Sequence, residues 1–145
     1  MYKRILLAYD GSEPGQKALL DCQDIANLSH SELFLIAVRP SPAVLIGGES
    51  GIYDPKLEEE EERQFKAILA DGLQRLSAGG KPVRGEVVVG DAVDEITAFA
   101  KQVDADLIVV GHKHMKGWAA RWWRGSVSKT LIEHAPCSVL VVITP

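Results

Sequence analysis

The densest chemistry in this chain lies between Gly111 and Ser128. Glycines stand at Gly111 and Gly125, hydroxyls at Ser126 and Ser128, and cations at Lys113, Lys116, Arg121 and Arg124. Those residue types suit a bound phosphate. Glycine lets the backbone come close to an anion. A helix start at Gly125-Ser126 would offer free N–H groups and a partial positive charge. The basic side chains would add charge-assisted hydrogen bonds. The plainer reading of the same residues is a turn glycine at Gly111 and an ordinary helix cap at Ser126. Both readings stay open at this point.

Other reactive residues are sparser. Asp10 ends an apolar run and fits two roles, a ligand for a ribose or a metal-bound water, and the cap of the turn that follows. His112 and His114 have His-x-His spacing. No acidic or cysteine partner sits near them in sequence, so contact with a phosphate or with solvent is expected rather than a metal site. Trp118, Trp122 and Trp123 stand among Arg121 and Arg124. Such a segment suits packing or a protein interface, where Trp and Arg are favoured, better than single-stranded nucleic acid. No Ser-His-Asp order, paired-carboxylate motif or Walker lysine motif is present, so no catalytic residue is assigned.

The elements that must position these residues follow from hydrophobic period. Apolar runs at 5–9, 32–38, 83–89, 106–110 and 138–143 read as strands, several of them buried on both faces. Helical spacing of apolar residues appears at 14–28, 57–76, 92–102 and 125–134. Ser12 with Pro14 just behind it predicts the start of the first helix. Phe65, Ile68, Leu69, Leu73 and Leu76 form the stripe of the second, and Gly79-Gly80 closes it. In the fourth, Val127, Leu131 and Ile132 are expected to face inward. Strand and helix alternate, which predicts a doubly wound α/β fold with a parallel sheet and helices on both faces. Ligands of such sheets bind beyond the carboxyl ends of the strands. The loops there are 10–14, 39–55, 90–92 and 111–125.

Composition narrows the class. The 145 residues carry a net charge of -4, which argues against DNA or an anionic membrane as a partner. The length fits one domain. No run approaches the roughly 18 apolar residues of a membrane span, and no signal peptide is visible. Cys22 and Cys137 have neither disulfide-framework nor metal spacing. A cytoplasmic protein is expected, with Cys22 in the core and Cys137 buried.

The motifs ILLAYDGS, DLIVVGHKH and RGSVSKTLIEHAPCSVLVV resemble those of the universal stress protein family, and the resemblance spans essentially the whole chain. It implies one universal stress protein domain over 1–145, with a five-stranded parallel sheet in the order 3-2-1-4-5 and an adenine-nucleotide-hydrolase-like fold. It implies a small stress-response protein that is not an enzyme and binds ATP or a related adenine nucleotide, with a magnesium ion bridging the phosphates. By position, Ala8 and Asp10 would lie near the ribose and Val38 near the adenine. Gly111, Lys113, His114, Gly125, Ser126, Val127 and Ser128 would lie near the phosphates. The chain departs from the family pattern at His114, where the family has glycine, and by one extra residue before Gly125. An alternative reading is therefore an interaction protein that holds no nucleotide, with Trp118–Arg124 as its partner surface. The family order puts the apolar final strand at a sheet edge, which predicts a homodimer through residues 138–143.

Overall fold

The computed structural model describes residues 1–40, 54–113 and 127–144. The expectations for His114, Gly125, Ser126, Trp118–Arg124 and most of the 39–55 loop fall outside these residues, as does the side chain of Lys113.

The described elements are β1 (Arg4–Ala8), α1 (Glu13–Ser29), β2 (Glu32–Arg39), α2 (Pro55–Ser77), β3 (Val83–Val89), α3 (Ala92–Gln102), β4 (Leu107–Lys113), α4 (Val127–His134) and β5 (Ser138–Thr144). All four strand pairings are parallel, and the sheet order is β3-β2-β1-β4-β5. This is the predicted doubly wound sheet. No helix among the described residues is long and apolar enough to cross a membrane.

Strand alternation sorts the core into two layers. Ile5, Leu7, Tyr9, Leu33, Leu35, Leu107 and Val109 point to one face and pack with α1 and α2. Leu6, Phe34, Ile36, Ile108 and Val110 point to the other and pack with α3 and α4. The central strands are buried on both sides, as their unbroken apolar runs predict. Cys22 is in the core as expected, but Cys137 is only half-buried.

Local chemistry fixes the helix starts. Ser12 caps α1 by accepting from the Gly15 N–H at 3.1 Å, with Pro14 in the first turn. Asp91 caps α3 by accepting from the Asp94 N–H at 3.1 Å. The stripe of α2 has the right period but the wrong depth. Leu76 is buried, whereas Phe65, Ile68, Leu69 and Leu73 are only partly covered. A helix of 23 residues is about 34 Å long, and a strand of seven spans about 23 Å, so α2 outruns the strands it packs on.

Two expectations for α4 are overturned. Val127 is 38% exposed and Ile132 is 62% exposed, while Ser128 and Leu131 are buried. The inward face is therefore centred on the i, i+3 pair 128 and 131. Strand β4 also runs further than its apolar stretch suggests. It continues through Gly111 and His112 to Lys113, and Gly111 pairs with Val142 of β5. Gly111 is a strand residue, not the first residue of a turn.

Candidate functional site

β1 and β4 are neighbours in the sheet, and the chain leaves them towards opposite edges. That makes their carboxyl ends the switch point where doubly wound folds bind ligands. A cavity of about 130 Å³ opens there. Ala8, Tyr9 and Asp10 line it from the end of β1, Ile36 and Val38 from β2, and Val110 and Gly111 from β4. Ala92 and Ile96 of α3 and Val127 and Ser128 of α4 complete the wall.

Six residues singled out in the sequence therefore meet in one cavity: Ala8, Asp10, Val38, Gly111, Val127 and Ser128. Tyr9, Ile36, Ala92, Ile96 and Val110 were not singled out. Ile36 and Val110 could have been found by parity, because they share the sheet face of Ala8 and Val38.

The walls are mostly aliphatic, with the exposed Asp10 and the buried Ser128 among their polar groups. Asp10 is exposed, and its Oδ1 accepts from the Ser12 N–H at 3.0 Å and from the Ser12 hydroxyl at 2.5 Å. The turn role proposed for Asp10 is therefore real. It uses one carboxylate oxygen only. Oδ2 has no partner among the described residues, and it stands at the cavity mouth. Gly11 makes the turn at φ 78, a conformation that favours glycine.

Gly111 is constrained by packing. A Cβ there would strike the carbonyl group of Pro14 and come within 2.6 Å of the Gly15 N. The glycine lets β4 pass tightly beneath the start of α1. On the far side, the Ser128 Oγ lies 3.5 Å from the Nδ1 of His112, which brings an imidazole to the first turn of α4. The first residue of α3 lines the cavity, so that helix N-terminus places partial positive charge at its wall, beside the first described residues of α4.

No lysine or arginine among the described residues lines the cavity. Arg39, only 7% exposed, lies near it but alternates to the α2 face of the sheet, opposite Val38. Its Nε and Nη1 have no hydrogen-bond partner among the described residues. No group of three His, Cys, Asp or Glu residues able to hold a metal ion occurs among the described residues.

Tyr9 joins the cavity to α2. Its hydroxyl donates to Asp71 Oδ2 at 2.9 Å, and Arg75 Nε donates to both Asp71 oxygens at 3.1 and 3.0 Å. Burial, then the bond to Asp71, pushes the Tyr9 phenol up to about 12. The Arg75 bond, then the Tyr9 bond, holds the Asp71 carboxyl below its ordinary value. Nothing local in the sequence signals this contact across 62 positions.

Comparison with known proteins agrees with this architecture. The model of the universal stress protein family matches residues 1–142. A Staphylococcus saprophyticus relative that carries the universal stress protein name is 32% identical over 99% of this chain and 84% of its own length. The crystal structure of a universal stress protein family member from Burkholderia pseudomallei superposes with a TM-score of 0.76 at 26% identity, covering 97% of this chain and 96% of that one. A universal stress protein solved in complex with cAMP superposes with a TM-score of 0.74 at 24% identity, over 99% of each chain. With its sheet order, its motifs and these matches in agreement, the chain belongs to the universal stress protein family.

Proposed function

We propose that this protein is a non-enzymatic, cytoplasmic binder of adenine nucleotides. The observation that carries the reading is the cavity at the β1/β4 switch point, with aliphatic walls, one carboxylate at its mouth and a buried serine in the first turn of a helix. Each part has a chemical counterpart. Ile36 and Val38 offer an apolar wall to a flat base. Asp10 Oδ2 can accept from a ribose hydroxyl. Ser128, with the N-terminus of α4, can donate to a phosphate. ATP with magnesium is the fullest ligand in this reading, with Gly111, Lys113, His114, Gly125 and Ser126 completing the phosphate end.

The test is calorimetry with AMP, ADP and ATP, each with and without magnesium. Saturable binding in the micromolar range, about -8 kcal/mol, is the expected result. No heat and no thermal shift with any of the three at millimolar concentration would overturn the reading. The rival reading, an interaction protein without a nucleotide, draws on His114 and the extra loop residue, and no described residue favours it.

The same reading includes a homodimer through β5. That strand is an outer strand of the sheet, and Ile143 on it is 56% exposed. An apolar edge invites pairing with a second chain, and a charge on it opposes pairing. Ile143→Lys is expected to halve the mass measured by light scattering at micromolar concentration. A wild-type protein that already runs as a monomer there would rule the dimer out.

A further inference from the structure

Asp10 is held from below by a helix that contributes nothing to the cavity wall. Its two neighbours in sequence, Tyr9 and Gly11, both rest on α2. Gly11 lies against Ile68, whose Cγ1 is 3.4 Å from where a Cβ on Gly11 would stand. Tyr9 is 2% exposed, and its ring is sandwiched between two glycines on two helices. One ring edge is 3.4 Å from where a Cβ on Gly15 of α1 would lie, and the other is 2.9 Å from where a Cβ on Gly72 of α2 would lie. A larger residue at Gly72 would press on the ring, whereas at Gly15 it would touch the ring only in ordinary contact and would strike Asp10 Oδ1, 2.8 Å from the added carbon. The hydroxyl then fixes the ring along its long axis, through Asp71 and Arg75.

A buried phenol must find an acceptor. This one finds it on α2, although Tyr9 directly follows β1. Removing the hydroxyl would leave the ring free to shift between its two glycines. The ring packs on Gly15, whose N–H is bonded to Ser12 Oγ, and Ser12 is in turn bonded to Asp10. A chain of direct contacts therefore runs from Arg75 on the surface to the carboxylate at the cavity mouth.

We propose that Tyr9 and Asp71 are positioning residues, and that their bond makes α2 the strut which holds the Asp10–Gly15 turn in its binding geometry. Its consequence for ligands rests on the adenine-nucleotide reading above; the strut itself does not. Because coupling between two positions is reciprocal, a ligand held by Asp10 must steady α2 in return.

Native-state hydrogen exchange on the ligand-free protein tests the strut directly. Tyr9→Phe keeps the ring and removes only the bond. The Ser12 and Gly15 amides are expected to exchange about fivefold faster, the effect of one net hydrogen bond, while the Val103 amide, which opens locally at the far end of α3, is unchanged. Asp71→Ala is expected to match it, and the double variant to be no worse than either single one. Unchanged exchange at Ser12 and Gly15 in Tyr9→Phe would overturn the proposal. So would an equal acceleration at Val103, which marks general loosening. A second arm adds AMP. Slower exchange across residues 68–75 is expected in the wild type and not in Tyr9→Phe; the same slowing in both would also overturn it. Failure of the wild type to bind AMP would strike the nucleotide reading alone, since the ligand-free exchange still decides the strut.

Discussion

Gly111→Ala is expected to cost about 3 kcal/mol of stability with no ligand present, as overpacking against rigid neighbours does. A thermal scan should show it as a drop of about 6–12 °C for a chain of this size. The reason is the identity of the atoms in the way. The added methyl would meet the carbonyl group of Pro14 and the Gly15 N, all of them backbone at the start of α1. No rotamer change can clear them. Either β4 or α1 must move, and both carry buried core residues. Gly80→Ala makes a useful contrast. Gly80 has nothing within 4 Å and needs glycine only for its φ of 83, so about 1–2 kcal/mol is expected there. The experiment separates two meanings of the same glycine. Were Gly111 present only to admit a phosphate, the alanine variant would keep its stability within about 0.5 kcal/mol and lose only affinity.

That distinction shows where sequence reading stops. The glycine is visible just after an apolar run, but the run ends before the strand does, and Gly111 lies inside β4 rather than in the loop after it. What presses on it comes from α1, nearly a hundred residues earlier in the chain. The strands were legible because a two-sided burial requirement leaves an unbroken apolar run, as in β1 and β2. The helix starts at Ser12 and Asp91 were legible or nearly so, because capping is local chemistry. The inward face of α4 was not. Eight residues give barely two turns, and Val127, Leu131 and Ile132 fit one face on paper. The sheet and α3 select Leu131 and turn Ile132 to solvent, and they bury Ser128 beside His112. A buried serine leaves no hydrophobic signal. The Tyr9–Asp71 bond has none either, since each residue is ordinary in its own element.

Sequence gives Asp10 two candidate roles, and the structure lets them be separated by oxygen atom. Oδ1 is committed to Ser12, which is the turn role, and the ligand role proposed above falls to Oδ2. Asp10→Ala should therefore have two effects of different size. Loss of the turn bonds costs about 1 kcal/mol of stability. Loss of a hydrogen bond between a carboxylate and a ribose hydroxyl costs about 1.5–3 kcal/mol, or roughly tenfold to hundredfold in AMP affinity. The affinity alone would not prove a direct contact, because a loosened turn could lower it too. A cycle against the ligand does. Dideoxyadenosine monophosphate, which lacks both ribose hydroxyls, is expected to bind the wild type about as weakly as AMP binds Asp10→Ala. On the variant, removing the hydroxyls should cost almost nothing further, because their partner is already gone. If both proteins lose the same factor on going from AMP to the dideoxy analogue, the hydroxyls are read elsewhere, and Asp10 serves the turn alone.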